Sequence, residues 1–132
     1  MKVVTAALIL DQGKVLIACR ASGEHAGFWE FPGGKLEPNE SPEDCLFREI
    51  QEELSITIKI DEHFYDSIYD YGRGVLCLKS YLCRWLDGDI KLQDHQSVEW
   101  VEAGNLLSYN LLAADIPIAE KLINHVQNSQ TT

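Results

Sequence analysis

Positive charge is scarce in this chain: 11 Lys and Arg stand against 21 Asp and Glu, leaving a formal net charge of −10. Holding a nucleic-acid polymer by its backbone needs a basic stripe, so that class of partner is not expected. Long apolar runs are missing too. None approaches a membrane span, and Met1-Lys2-Val3 leads directly into strand-like sequence instead of a signal peptide, so a soluble, cytoplasmic protein with no membrane partner is expected. Cys19, Cys45, Cys77 and Cys83 show no CxxC spacing and no secretory context, which points to reduced, packed thiols. His25, His63, His95 and His125 have no zinc-site spacing, and no Ser-His-Asp arrangement stands out. Repeats and low-complexity tracts are absent, apart from a polar tail over 127–132 that is expected to fray.

What is present fits one globular domain over 1–126: 132 residues, 45% hydrophobic and 24% charged. Val3 to Leu10 and Val15 to Arg20 are β-branched runs joined by Asp11-Gln12-Gly13-Lys14, a hairpin pattern. Phe28 to Pro32 reads as a short aromatic strand ended by Gly33-Gly34. A helix is expected from Pro42 to about Leu54, with Ser41 as N-cap, Glu43 and Asp44 at the positive end of the dipole and Asp44 completing a capping-box-like pair. Strands follow at Ile56 to Ile60, Phe64 to Tyr71, Val75 to Leu86 and Ser97 to Val101. A last helix starts near Asp115 and Pro117, with Ile118, Leu122 and Val126 on one face. Many strands with one central and one terminal helix suggest a mixed α/β sandwich.

Chemistry concentrates on the first helix. Each residue turns the helix by about 100°, which brings Glu49, Glu52 and Glu53 within an arc of roughly 100°. Leu46, Phe47, Ile50 and Leu54 fall beside them as the core face. Like charges at this spacing repel, and a hard divalent cation such as Mg²⁺ or Mn²⁺ would offset that repulsion. On spacing alone a solvated acidic face is the commoner explanation. The overall acidity divides in the same way: it either serves solubility or becomes attractive to phosphate once metal is bound.

A longer pattern surrounds these carboxylates. Gly34 is followed by Glu40, Arg48, Glu49, Glu52 and Glu53 at fixed intervals, with Ile50 and Ile56 at apolar positions. This run resembles the signature of the Nudix hydrolases at every defined position but one, where Ser55 replaces a helix-ending Gly. The flanking Trp29-Glu30-Phe31-Pro32-Gly33-Gly34-Lys35 is similar to the MutT-like branch of that family, and a looser resemblance runs from Val3 to about Val126. A left-handed Ser at 55 would cost on the order of 1 kcal/mol and removes no catalytic group.

The resemblance implies an α/β/α sandwich with a mixed central sheet between the motif helix and the C-terminal helix. It implies metal-dependent hydrolysis of a nucleoside triphosphate, oxidised or modified bases included, to the monophosphate and pyrophosphate, as in nucleotide-pool sanitising. On this reading Glu49, Glu52 and Glu53 are catalytic metal ligands, with Glu49 as ligand or water-orienting base. The Gly33 carbonyl would add an oxygen ligand, and that role would explain the missing side chain there. Glu40 and Arg48 form a supporting ion pair, and Gly34 supports the motif loop. Asp94 supplies a further carboxylate, with Glu99 as its rival. Arg20 and Lys35 are candidate phosphate contacts, against a surface salt bridge for Arg20. Trp29 is a candidate base-stacking ring, against core packing. Asp115 is a candidate base reader, since CTP-directed relatives carry a similar Ala-Asp-Ile-Pro run where 8-oxoguanine-directed ones carry Asn. Its alternative role is a helix cap.

Other Nudix substrates (ADP-ribose, NADH, dinucleoside polyphosphates, capped RNA), a non-catalytic nucleotide-binding Nudix module and an acidic calcium-binding domain are the competing readings. The partner expected is a small nucleotide. A monomer is compatible with the sequence, which carries no signal of oligomeric state.

Overall fold

The computed structural model describes residues 1–130, with side chains described through Asn128. Strands β1 (Lys2–Asp11) and β2 (Lys14–Arg20) form the expected hairpin, its turn made by Gln12 and Gly13 with φ of 53° and 82°. Two successive positive φ values match the right-handed twist of the flanking strands. Five further strands, β3 (Trp29–Glu30), β4 (Gly33–Lys35), β5 (Thr57–Asp70), β6 (Val75–Asp87) and β7 (His95–Glu102), join them in one mixed sheet of order β3-β2-β1-β6-β5, with β4 paired to β1 and β7 to β2. The β1–β6 pairing is parallel and the others are antiparallel.

Side chains alternate across a strand, and here the alternation builds two cores. Ala6, Leu8, Val15 and Ile17 face one side, where they meet Leu106, Ile118 and Leu122 of the C-terminal segment. Ala7, Ile9 and Leu16 face the other, against Leu46, Ile50 and Leu54 of helix α1 (Pro42–Leu54). The central hairpin is thus buried on both faces, the expected α/β/α sandwich. Fully burying each such aliphatic side chain contributes about 1.5–3 kcal/mol.

Several boundaries differ from the sequence expectation. The aromatic strand is two short strands, β3 (Trp29–Glu30) on β2 and β4 (Gly33–Lys35) on β1. The chain changes partner at Pro32, which has no N–H for a ladder. The two strands expected over 56–71 are one, β5 (Thr57–Asp70), whose antiparallel register with β6 (Val75–Asp87) shifts between Ile60 and Glu62 and again between His63 and Tyr65. Bulges absorb the polar interruption that broke the alternation. Strand β7 (His95–Glu102) leads into a 3-10 turn at Ala103–Ser108 that the sequence did not reveal. Helix α2 (Ile116–Gln130) keeps its hydrogen-bonded form through 127–130, beyond the expected end at Val126, while 131 and 132 lie outside the described residues. On α1, Phe47 is 37% exposed and Cys45 is buried in its stead. No helix among the described residues is long and apolar enough to cross a membrane. All four cysteines are free and buried.

Candidate active site

Helix α1 is closed at both ends by local chemistry. Ser41 Oγ accepts the Asp44 N–H at 3.1 Å, and Pro42 begins the first turn. At the other end Ser55 takes the left-handed conformation, φ 61° and ψ 27°, and its N–H reaches the Gln51 carbonyl at 3.0 Å. Serine therefore does adopt the backbone that glycine usually supplies, at a cost of about 1 kcal/mol.

Arg48 organises the exposed face of this helix. Its guanidinium grips Glu40 with two bonds, Nε to Oε2 at 2.7 Å and Nη2 to Oε1 at 3.0 Å. Nη1 also donates to Glu49 Oε1 at 2.9 Å and Glu52 Oε2 at 3.2 Å. The paired guanidinium holds the Glu40 carboxyl down to about 2, and the same bonds push Arg48 further up. The expected Glu40–Arg48 pair is present, and it extends to two of the three clustered carboxylates.

The two glycines are small for different reasons. A Cβ on Gly34 would run into the Glu49 carboxylate. A Cβ on Gly33 would run into the Thr5 carbonyl, because Gly33 lies opposite Ala6 in the β1–β4 ladder. Close packing on β1 explains the absent side chain at 33, where the sequence had suggested a ligand role as the reason.

Glu53 sits deeper than its neighbours. Its Oε2 is buried without a hydrogen-bond partner. Burial pushes this carboxyl up to about 7, with Glu49, Glu30 and Asp94 adding repulsion and His95 opposing the rise. Asp94 is exposed just before β7. Its rival Glu99 accepts the Tyr109 hydroxyl at 2.6 Å on the exposed side of β7, the behaviour of a solvent-facing pair partner.

Sequence reasoning passed over two residues here. His95 is 5% exposed, and its Nε2 lies 2.8 Å from Glu30 Oε2. That hydrogen bond raises the imidazole's affinity for a proton, and Glu53 adds to the effect. The other Glu30 oxygen accepts from Arg20 Nη1 at 3.2 Å. Glu30 stands in the Trp-Glu-Phe-Pro-Gly-Gly run, which is the signal that pointed to it. His95 and Glu30 are 65 residues apart, so no local spacing could join them.

A cavity of about 610 Å³ opens beside this network. Arg20, Glu30, Phe31, Leu78 and Asp115 are among the residues lining it. Asp115 is only 3% exposed and ends a 3-10 turn (Ala113–Asp115) just before α2. Burial pushes its carboxyl well above the usual carboxylate range and Glu30 adds to this, while a backbone hydrogen bond from Phe31 and the charge of Arg20 pull it back. Asp115 thus lines the cavity and also immediately precedes α2. Trp29 does not line the cavity. Its ring packs on the core, edge-on to Tyr109 at 5.5 Å. Lys35 is exposed on β4 and is likewise absent from the lining.

A NUDIX domain model matches residues 1–125. The chain belongs to the Nudix family. It is 36% identical over 118 residues to the CTP pyrophosphohydrolase of Escherichia coli (strain K12), covering 89% of this chain and 87% of that protein. With the 8-oxo-dGTP diphosphatase of the same strain it shares 31% over 113 residues, 85% of this chain and 88% of the relative. Among solved structures it is similar to the E. coli ORF135 protein, with a TM-score of 0.83, 35% identity and coverage of 94% of this chain and 89% of that one. The MutT NUDIX hydrolase from Burkholderia pseudomallei gives a TM-score of 0.82 at 26% identity, covering 91% and 96%. Within the family, then, this chain is a MutT-like Nudix pyrophosphohydrolase.

Against the divalent cation that Nudix hydrolases use, the donor set fits in kind: hard carboxylate oxygens on one helix face, one of them buried and unpartnered. The cage is not preassembled. Among the described residues no three carboxylate, imidazole or thiol side chains already converge as ligands, and Arg48 holds Glu49 and Glu52. Glu52 is the most exposed of them, at 59% of its side chain, and has the most freedom to turn.

Proposed function

We propose that the chain hydrolyses a nucleoside triphosphate to the monophosphate and pyrophosphate in a reaction that depends on Mg²⁺ or Mn²⁺. The observation that carries this reading is the carboxylate face of α1, whose buried, unpartnered Glu53 feels the charge of Glu30 in the wall of a cavity that Asp115 also lines. Relatives named for CTP and 8-oxo-dGTP hydrolysis support it. Glu52 and Glu53 would hold the cation, with Glu49, Asp94 and the Gly33 carbonyl as further oxygens. Bound there, the ion neutralises diphosphate charge and acidifies or orients water. Arg48 and Glu40 keep the helix face in register, and Arg20 stands at the cavity as a fixed positive charge. Phosphoryl chemistry needs such positioning and no covalent nucleophile. A pyrophosphate-release assay over a panel of nucleotides with Mg²⁺ is the direct test; no release from any of them, or release of orthophosphate alone, defeats the reading.

The metal assignment makes a second prediction. Mg²⁺ or Mn²⁺ should raise the melting temperature, because a bound cation relieves the repulsion among Glu49, Glu53 and Asp94 that raises the Glu53 pKa. A melting curve indifferent to both ions, with and without nucleotide, indicates a solvated acidic face.

Base choice rests on Asp115. An ionised carboxylate only accepts hydrogen bonds and favours an edge with donors, such as the exocyclic amine of cytosine. A neutral carboxyl donates and accepts, as an Asn amide does. Burial raises the folded pKa, so the neutral form is fully compatible with folding at low pH, and stability is lost as pH climbs through the raised value. Asp115→Asn should therefore raise the melting temperature at alkaline pH, with the gain vanishing toward pH ~4. The same variant should shift kcat/KM from cytidine triphosphates toward 8-oxoguanine triphosphate, most at high pH. An unchanged ratio across pH removes Asp115 from base reading.

A further inference from the structure

Trp29, the ring that the sequence puts forward for base stacking, is committed to the core. Other rings do line the cavity: His25, Phe31, Tyr69 and Tyr71. Phe31 is buried in the core cluster, and His25 stands edge-on to Phe28 at 5.7 Å. Tyr71 lies past the end of β5, in a turn where its N–H donates to the Gly74 carbonyl at 3.2 Å. Tyr69 is the one held on a strand. Its side chain is 38% exposed and makes no hydrogen bond or ring contact among the described residues.

Register fixes the side of the sheet on which that ring stands. Tyr69 pairs with Leu76, which pairs with Lys2; in the next row Ser67 pairs with Leu78, and Leu78 with Val4. Paired residues share a face of a sheet, and alternate residues along a strand return to it. Lys2, Val4, Leu76 and Leu78 all line the cavity, so Tyr69 rises at the margin of an aliphatic floor. The 3-10 turn that ends at Asp115 packs against β5, the strand that carries Tyr69. Gly33 lines the cavity from the far side, on β4. From β4 the sheet runs through β1 and β6 to β5, three strand spacings or about 14 Å. That span leaves room for ribose and phosphates beside a base.

We propose that Tyr69 is the stacking surface for the nucleobase. The base lies on its ring above the Leu76–Leu78 floor, with the polar edge toward Asp115 and the phosphates directed across the sheet toward Arg20 and Gly33. The inference rests on the activity proposed above and deepens it, naming a residue that binds the base and does not touch the reacting phosphorus. Every base has a π-face, so this contact grips purines and pyrimidines alike, and the choice among them falls to the edge that meets Asp115.

Two substitutions test the ring. Tyr69→Leu should raise KM about tenfold for every nucleoside triphosphate hydrolysed and keep kcat within about threefold, because binding common to ground and transition states is removed. Calorimetry should show the same loss of affinity for cytidine and guanosine monophosphates. Inhibition by inorganic pyrophosphate, which carries no base, should stay within about twofold of wild type. Tyr69→Phe keeps the π-face and should match wild type in all three measurements. If Tyr69→Leu does not fold, Tyr69→Met takes its place. Wild-type KM and monophosphate affinity in the aliphatic variant, or a parallel loss toward pyrophosphate, would mean that Tyr69 only shapes the wall, and the proposal fails. A wild-type chain that binds the monophosphates through Tyr69 yet releases pyrophosphate from no nucleotide defeats the proposed activity and leaves the base site standing. Binding of neither monophosphate to the wild type overturns the base site itself.

Discussion

Glu53→Gln should yield a folded protein that turns over at least about a hundredfold more slowly at saturating Mg²⁺. The substitution keeps the shape of the side chain and removes a carboxylate whose buried oxygen has no partner. Folding should not suffer. The carboxyl is pushed up to about 7 in the folded chain, so without metal the stability it contributes is complete below the unfolded value and is lost as pH rises through about 7. An amide avoids that loss. The variant should therefore be more stable than the metal-free parent at pH ~8, by about 1–2 kcal/mol at this partly buried site, and equal to it at pH ~4. Steady-state kinetics and metal-free melting curves at the two pH values check both halves. Near-wild-type turnover at saturating Mg²⁺ would remove Glu53 from the chemistry.

Alanine at the two motif glycines should fail in two different ways. At position 33 the added carbon meets the Thr5 carbonyl and the Thr5–Ala6 backbone, both fixed in the β1–β4 ladder. Backbone cannot give way as a side chain can, so Gly33→Ala should lose about 3 kcal/mol or more of stability. At position 34 the added carbon meets the Glu49 side chain alone among its nearest contacts. Glu49 can rotate aside, at the expense of its bond to Arg48. Gly34→Ala should keep a melting temperature close to wild type and lose at least about tenfold in kcat/KM, because a metal or water-orienting oxygen has been moved. Circular dichroism melts and kinetics on the pair test the contrast. A stable, active Gly33→Ala, or a Gly34→Ala that unfolds with no separate effect on rate, would contradict the packing described here.

Legibility tracked the range of the interactions involved. Ser41, Pro42 and the Ser55 terminus act within one or two helical turns, and the expected span of α1 matches the observed one. The Glu40–Arg48 pair was implied by the family pattern and is present. Phe47 was misplaced because it falls at the edge of the apolar stripe, where the shape of the sheet beneath decides which side chain is covered. Cys45 took that place, packed on Thr5 and the Gly34 carbonyl. The split of β3 from β4 depends on which strand edges are open to them, and a linear pattern does not record that.

Family, helix and carboxylate set were fixed by residue type and spacing alone, since a helical face follows directly from the order of residues along it. The cavity, the burial of Asp115 and the His95–Glu30–Arg20 chain were decided by tertiary structure. Glu30 and His95 meet only because β3 and β7 both pair with β2. Asp115 reaches the cavity because the Leu112 N–H, bonded to the Trp29 carbonyl, ties the segment before α2 to β3. Each of these contacts joins segments far apart in the chain, and its strength comes from burial, which no single stretch of sequence possesses before the sheet has closed over it.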